Sequence, residues 1–213
     1  MNKKKCMIDA VLAGIAIAIG GTVYLSCDNK YIGTFLFGFG LFTIVTFKLA
    51  LYTGKIGYVP EKDRRYSAEV IVTLVGNLIG TFISAYILRF TKIYEAVSGK
   101  AEKIVTSKLE GTFVSCFILA VFCGMLMYIA VESNRISKQN NDNVSAVLGI
   151  FLPVAVFILA GFNHSIADMF YISLGKITAD KCVYLITVIV GNACGGMFIP
   201  FCKILKGESE RKK

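Results

Sequence analysis

The chain has 213 residues, of which 55% are hydrophobic and 17% are charged, and its mean hydropathy is +0.66. Soluble proteins carry about 25% charged residues, so this composition excludes a soluble globular domain and predicts a protein that crosses a lipid bilayer several times. The net charge of +9 does not indicate nucleic-acid binding, because the basic residues fall at the ends of apolar segments and in the tails. We therefore expect no nucleic-acid partner.

A membrane-spanning helix needs about 20 apolar residues. The second and fifth apolar segments are short, and each is followed by an irregular piece: one stops at Lys48 and resumes through 51–56, the other stops at 161–164 and resumes through 166–172. Such breaks are tolerated at membrane depth only where they are buried in protein or line a wet cavity. The sequence thus predicts an all-α membrane protein of six transmembrane helices, with the second and fifth broken, at 7–26, 32–47, 67–90, 110–131, 144–160 and 180–204.

The two halves of the chain share a short motif. Val75-Gly-Asn-Leu-Ile-Gly80 in the third segment recurs as Val190-Gly-Asn-Ala-Cys-Gly195 in the sixth, 115 residues later. Halves of three spans each must lie in opposite orientations, so we predict two inverted three-helix repeats, at about 7–90 and 108–205, within one channel domain of residues 1–213. Broken helices at matching positions of such a repeat point to a transport site.

The loops predict the orientation. With six spans, both termini and the loops 55–66 and 132–143 share one side, and this side carries most of the lysine and arginine, including the tail residues Arg211, Lys212 and Lys213. The positive-inside rule places that side in the cytoplasm. We expect a multi-pass protein of a bacterial cytoplasmic membrane with short basic tails, both in the cytoplasm.

Four ionisable residues fall at or near membrane depth, where they are costly and usually functional. His164, the only histidine, lies at the second break, with Asp168 one turn later; Lys48 adjoins the first break, and Lys108 precedes the fourth span. A structural histidine and snorkelling lysines are the alternatives. The seven cysteines form no CxxC pair and no metal-ligand spacing, so neither a metal nor a cofactor is expected.

These residues belong to recognisable motifs. Gly161-Phe-Asn-His-Ser-Ile-Ala-Asp-Met-Phe170 resembles the G-F-E-H-S-V/I-A-N-M-F signature of the formate/nitrite transporter family. Leu51-Tyr-Thr-Gly54 resembles that family's L-F-T-G/S loop, and Lys108-Leu-Glu-Gly-Thr-Phe113 its K-x-x-x-T-F segment. The paired G-N-x-x-G helices are matched at 76–80 and 191–195. The resemblance extends from about residue 7 to 205.

The resemblance implies an aquaporin-like fold, a homopentamer with one pore in each protomer, and passage of small monovalent weak-acid anions such as formate, nitrite, hydrosulfide or acetate. It implies a channel and not an enzyme. Carried over by motif, His164 is the central pore histidine, Thr53 faces it, and Lys108 draws anions into the outer vestibule. Leu51 is expected to form the outer apolar constriction, and the cytoplasmic one is expected to comprise Phe37, Leu41 and Phe157.

Three positions, all expected around the pore, depart from the family pattern. Asn163 replaces a glutamate, Asp168 replaces an asparagine, and Gly124 stands where asparagine is common. A carboxylate at position 168 would repel an anion unless it is neutralised by Lys108, by a protonated His164 or by its own protonation. We favour the pair with Lys108; the alternative is that Asp168 only pairs within the protein wall.

Two mechanisms and one other class of pore stay open. His164 would either protonate the anion, so that a neutral acid crosses, or hydrogen-bond it, so that transport carries charge. The alternative class is an aquaporin-like pore for water or small neutral solutes, but its paired N-P-A motifs are absent because no proline of the sequence follows an asparagine. An ammonium channel would need two facing histidines.

Overall fold

The computed structural model describes residues 3–207, and this part of the chain is helical without a strand. Each predicted span corresponds to a helix, which confirms the all-α class; the tail residues Arg211, Lys212 and Lys213 lie outside the described residues. The helices are α1 Lys3–Ser26, α2 Lys30–Thr46, α3 Tyr52–Lys55, a 3-10 helix at Ile56–Glu61, α4 Arg64–Leu88, α5 Tyr94–Leu109, α6 Phe113–Gln139, α7 Asn143–Leu159, α8 Ser165–Leu174 and α9 Ala179–Leu205.

Helix length separates the elements into two kinds. Four helices, α1, α4, α6 and α9, have 24 to 27 residues and are long and apolar enough to cross a bilayer. The helices α2 and α7 have 17 residues each because each ends at one of the predicted breaks. The short α3 and α8 follow these breaks, so that both halves show the order long helix, shorter helix, break, short helix, long helix.

Polar residues set the starts of most of these helices. Asn29, Asp63, Thr112, Asp142 and Thr178 are N-caps whose side-chain oxygens accept a hydrogen bond from a backbone N–H of the first turn. Each cap satisfies at least one of the donors that a helix start leaves unpaired, and Asn29 satisfies two. Polar residues of the sequence therefore mark where these helices begin.

The long helices of each half pack closely: α1 lies against α4 and α2, and α6 lies against α9 and α7. Gly14 of α1 faces the carbonyl oxygen of Asn77, and Gly124 of α6 faces the carbonyl oxygen of Asn192, so closely that a methyl group at either glycine would overlap the oxygen. Such small residues let helix backbones approach. The expectation that Gly124 lies around the pore is therefore wrong, because its face is filled by the backbone of α9.

The linking helix α5 is attached to the second half. Tyr94 Oη donates to the carbonyl oxygen of Leu174 at 2.8 Å, and Lys181 Nζ donates to Glu102 Oε1 at 2.7 Å. The side chain of Lys181 is only 5% exposed, so this ion pair holds α5 firmly against the start of α9. As a result, α5 is a fixed part of the wall on one side of the molecule.

Candidate functional site

The two breaks are built in the same way. At the first, the Leu49 N–H donates to the carbonyl oxygen of Ile44; at the second, the Phe162 N–H donates to that of Phe157, both at 2.9 Å. In each case the preceding residue has a left-handed backbone, with φ 55° at Lys48 and φ 74° at Gly161. This is the Schellman arrangement that closes a helix end, and it follows the C-caps Phe47 of α2 and Ala160 of α7.

Asn77 of α4 holds the first break in place. Its Oδ1 accepts the N–H of Tyr52 at 2.8 Å, and its Nδ2 donates to the carbonyl oxygens of Ala10 at 2.8 Å and Ala50 at 2.9 Å. Buried backbone groups need hydrogen-bond partners, and this one fully buried amide supplies three. The irregular backbone after α2 is therefore stable away from water.

Asn192 of α9 does the same for the second break. Its Oδ1 accepts the N–H of Ser165, and its Nδ2 donates to the carbonyl oxygens of Ala120 and Asn163, all at 2.8 Å. In the sequence these two asparagines served only as markers of the repeat. The signal that could have identified their role was the position of each about 26 residues beyond a break that needed polar partners.

The breaks bring Thr53 and His164 together. Thr53 Oγ1 lies 3.0 Å from His164 Nε2, and both side chains are almost fully buried. The expected contact between the two residues is thus present. It joins the start of α3 to the start of α8, which are the two helices that resume after the breaks.

The hydrogen bonds of His164 define which ring nitrogen carries the proton when the imidazole is neutral. The N–H of Ala167 donates to His164 Nδ1 at 3.1 Å, which makes the imidazole the N-cap of α8. Because Nδ1 accepts this bond, a neutral ring carries its proton on Nε2. The Nε2–H therefore points toward Thr53 as a hydrogen-bond donor.

Cavities lie on both sides of the Thr53–His164 contact. The first, here the Lys108 cavity, has a volume of about 560 Å³ and is lined by His164, Asn163, Phe157, Lys108, Lys30 and Lys103, among others. The second, here the Lys48 cavity, has about 240 Å³ and is lined by Leu41, Leu51, Gly54, Lys48, Lys55 and Tyr58, among others. Since His164 faces the first and the residues flanking Thr53 face the second, the contact lies between them.

The four apolar residues expected at constrictions are buried but grouped differently from the expectation. Phe37 packs edge-on against Phe157 at 5.9 Å between ring centroids, and Phe157 stacks on His164 at 5.4 Å while lining the Lys108 cavity. Leu41 and Leu51 line the Lys48 cavity. The expectation that Leu51 shares a side with Lys108 is wrong, because the chain returns from the break beside Leu41, one turn beyond Phe37 on α2.

The Lys108–Asp168 ion pair that we favoured is present. The Lys108 ammonium donates to Asp168 Oδ1, and Tyr184 Oη donates to Asp168 Oδ2 at 2.8 Å. Asp168 has no exposed surface, whereas the Lys108 side chain is 18% exposed. The pair therefore brings no net charge to the wall of the Lys108 cavity.

Asn163 lines the same cavity and is 2% exposed. Its Nδ2 donates to the carbonyl oxygen of Cys116 at 3.2 Å, while its Oδ1 has no hydrogen-bond partner among residues 3–207. A buried amide oxygen without a partner is unusual. Among the described residues, this acceptor in the residue next to His164 is buried and unpaired.

Metal binding finds no support in the geometry. Within the described part of the chain, no group of three or more histidine, cysteine, aspartate and glutamate side chains lies close enough to hold an ion.

The similarity of this chain to known proteins identifies its family. The profile of the formate/nitrite transporter family matches residues 1–204. The probable formate transporter of Methanothermobacter thermautotrophicus is 28% identical over 240 residues, which cover 93% of this chain and 86% of that protein. The formate channel FocA of Escherichia coli (strain K12) is 24% identical over 191 residues, which cover 80% of this chain and 66% of that protein.

The fold has also been observed in solved structures. A pentameric formate channel with formate bound superimposes with a TM-score of 0.77 at 24% identity, covering 96% of this chain and 97% of its own. An ion channel of the same family superimposes with a TM-score of 0.76 at 16% identity. These likenesses establish the architecture, and the match over residues 1–204 establishes the relationship. The chain belongs to the formate/nitrite transporter family.

Proposed function

We propose that this protein is a channel for small monovalent anions of weak acids, of the class of formate, nitrite, hydrosulfide and acetate. The observation that carries the proposal is the buried contact between Thr53 and His164, which lies between two cavities. Thr53 Oγ1 is 3.0 Å from His164 Nε2. The contact offers hydroxyl and imidazole donors between the two cavities, and apolar side chains lie beside it. The formate-binding relatives support the substrate class.

The imidazole acts in this proposal as a hydrogen-bond donor and not as a proton carrier. An anion that leaves water loses several kcal/mol of hydration, and the Nε2–H of His164 together with the Thr53 hydroxyl replaces part of it. A transferable proton would require a doubly protonated ring, and protonation of Nδ1 would break its bond with the Ala167 N–H. The passage of the anion therefore carries charge.

Apolar pairs on either side of His164 provide selectivity. Phe37 with Phe157, and Leu41 with Leu51, form constrictions that exclude hydrated ions because water is unstable between apolar walls. Only a small ion that can exchange water for the Thr53 and His164 donors would pass. Lysine side chains attract the anion, and this attraction is weaker than it would be without Asp168, because Asp168 neutralises Lys108.

We further propose the architecture and assembly around this pore. Six helices in two inverted repeats, at about 7–90 and 108–205, are supported by the equivalent hydrogen bonds of Asn77 and Asn192. The pentameric relative supports a homopentamer. The basic residues of the termini and of the segments 55–66 and 132–143 support an orientation with both termini in the cytoplasm. We propose a bacterial cytoplasmic membrane as its location.

A pore for small neutral solutes is the second candidate. Two observations favour it: Asp168 cancels the charge of Lys108, and Asn163, which lines the Lys108 cavity, has a side-chain oxygen without a hydrogen-bond partner among residues 3–207. Together they suit a solute that arrives with its proton, such as hydrogen sulfide. The anion channel is preferred because lysines line both cavities.

Flux measurements on proteoliposomes distinguish the two candidates. The purified protein should carry formate, nitrite, acetate and hydrosulfide faster than glycerol, and potassium with valinomycin should accelerate the flux by compensating its charge. If glycerol is carried as fast as the anions, the neutral-solute pore is favoured. If valinomycin does not accelerate the anion flux, the anion crosses with a proton and His164 acts as a proton donor.

The variant His164→Phe tests the role of the imidazole. Hydrogen bonds to charged groups contribute about 1.5–3 kcal/mol, so its anion flux should fall at least about tenfold while the oligomer stays intact by size-exclusion chromatography. Normal flux in an intact His164→Phe oligomer would refute this role.

A further inference from the structure

Lys48 occupies a backbone conformation that favours glycine. Its φ is 55°, and it stands three residues before Leu51, the N-cap of α3. At the equivalent place, three residues before His164, the second half has Gly161 with φ 74°. Residues other than glycine seldom adopt a positive φ. A lysine in this place points to a use for its side chain.

The surroundings of Lys48 leave its charge available. Lys48 and Lys55 line the Lys48 cavity, and no aspartate or glutamate is among the described residues of that wall. Lys55 Nζ lies 3.2 Å from Glu69, whereas Lys48 is exposed and forms no ion pair within residues 3–207. Asp9 and Glu69 border a neighbouring space that Lys48 also touches.

Lys108 is the contrasting case. It lies at the other cavity, and its ammonium is bound to the buried Asp168. Of the lysines beside the two breaks, the one with a free ammonium is therefore Lys48. Leu41 and Leu51 form the adjacent apolar wall, so an anion held near Lys48 stands directly before a constriction.

We propose that Lys48 forms an anion-binding site in the Lys48 cavity. The site would take a small monovalent weak-acid anion, because the cavity of about 240 Å³ is small and its charged wall is cationic. Binding there raises the local anion concentration before the ion loses its water at Leu41 and Leu51. The inference rests on the proposed channel function and adds a second place of anion recognition to it.

Flux at two salt concentrations tests the site. The Debye length is about 30 Å at 10 mM salt and only a few ångströms at 1 M. Lys48→Gln should reduce formate flux roughly fivefold at low salt and by much less at high salt. Lys48→Arg should retain the parent flux, as should the matched control Lys62→Gln, which changes an exposed lysine outside this cavity. Parent flux in Lys48→Gln at both salt concentrations would overturn the proposal.

Lys48→Gly separates a transport role from a purely structural one. Glycine suits the left-handed backbone, so this variant should unfold at a higher temperature than Lys48→Gln while its low-salt flux is equally reduced. A lysine that only stabilises the end of α2 would change the unfolding temperature and leave the flux of both variants unchanged, which would also overturn the proposal.

A binding measurement keeps the site distinguishable from the channel function. Acetylation of Lys48 by a water-soluble succinimidyl ester, followed by peptide mass spectrometry, should slow severalfold in formate but not in a bulky sulfonate of equal ionic strength. Labelling of Lys62 should be equal in both. Protection of Lys48 without formate flux would retain the site and refute the channel; flux without protection would refute the site.

Discussion

The two breaks share one scaffold and differ in what they present. Each has a helix end with a left-handed residue, and each is held by a buried asparagine with three hydrogen bonds. The first break then carries a hydroxyl, Thr53, and the second an imidazole, His164. The backbone arrangement is therefore separable from the chemistry: one solution to the burial of irregular backbone is used twice, and each copy supplies a different donor to one contact.

Removal of the two asparagines tests this equivalence with the largest expected effect. Asn77→Ala and Asn192→Ala should each lower the free energy of unfolding by at least about 3 kcal/mol, because three buried backbone groups lose their partner in each variant at roughly 1–3 kcal/mol per group. Thermal unfolding of the oligomer, followed by size-exclusion chromatography, measures the effect.

The exposed Asn140→Ala serves as the matched control and should unfold like the parent. Equal losses in the two buried variants would support the equivalence. A large loss in only one of them would show that the breaks are not held in the same way.

The apolar pairs test where the two sides differ. Phe157→Ala should raise glycerol leakage severalfold and more than Leu41→Ala, because Phe157 contacts both Phe37 and the His164 ring. Single-channel conductance and glycerol flux measure the effect. Phe39→Ala, which alters a 53% exposed residue of the same helix as Phe37, should behave as the parent, and unchanged leakage in both pore variants would place the constrictions elsewhere.

The smallest expected effect concerns the charge of Asp168. Asp168→Asn keeps a hydrogen-bond acceptor for Tyr184 but frees the charge of Lys108, so anion flux should rise about two- to fivefold at low salt and less at high salt. Stopped-flow flux at both salt concentrations measures it.

Tyr184→Phe removes the other hydrogen bond of Asp168 without a change in charge, and its flux should stay at the parent level. If Asp168→Asn has the flux and salt dependence of the parent, Asp168 only stabilises the protein wall.

Much of this arrangement was predictable from local sequence. Five of the six predicted spans end within two residues of a helix end, but the prediction that the fourth ends at 131 is wrong, because α6 continues to Gln139. Both breaks fall where they were predicted, and Asp168 lies on the helix that His164 caps. The role of Asn77 and Asn192 was missed because the motif that contains them was interpreted only as a sign of the internal repeat. Its glycines pack against neighbouring helices, and the asparagine between them carries the hydrogen bonds.

Other features depend on where the chain goes after a break, which spacing does not specify. Counting along α2 orders Phe37 before Leu41, but only the path of the loop brings Leu51 to the level of Leu41. In the same way, Gly124 could be assigned to the pore or to a helix contact until the position of α9 was known. The order of residues predicts their position along the pore within a straight helix, but not across a break in that helix.

The linking helix α5 makes the two ends of the pathway unlike. Two repeats of opposite orientation, as proposed, would present the same surroundings to an ion arriving from either direction. Among the described helices α5 stands outside the repeated order, and it places Lys108 and Lys103 at one cavity while Glu102 and Tyr94 fasten it there. An anion therefore meets a different field at each entrance, and current–voltage curves of this pore should show rectification.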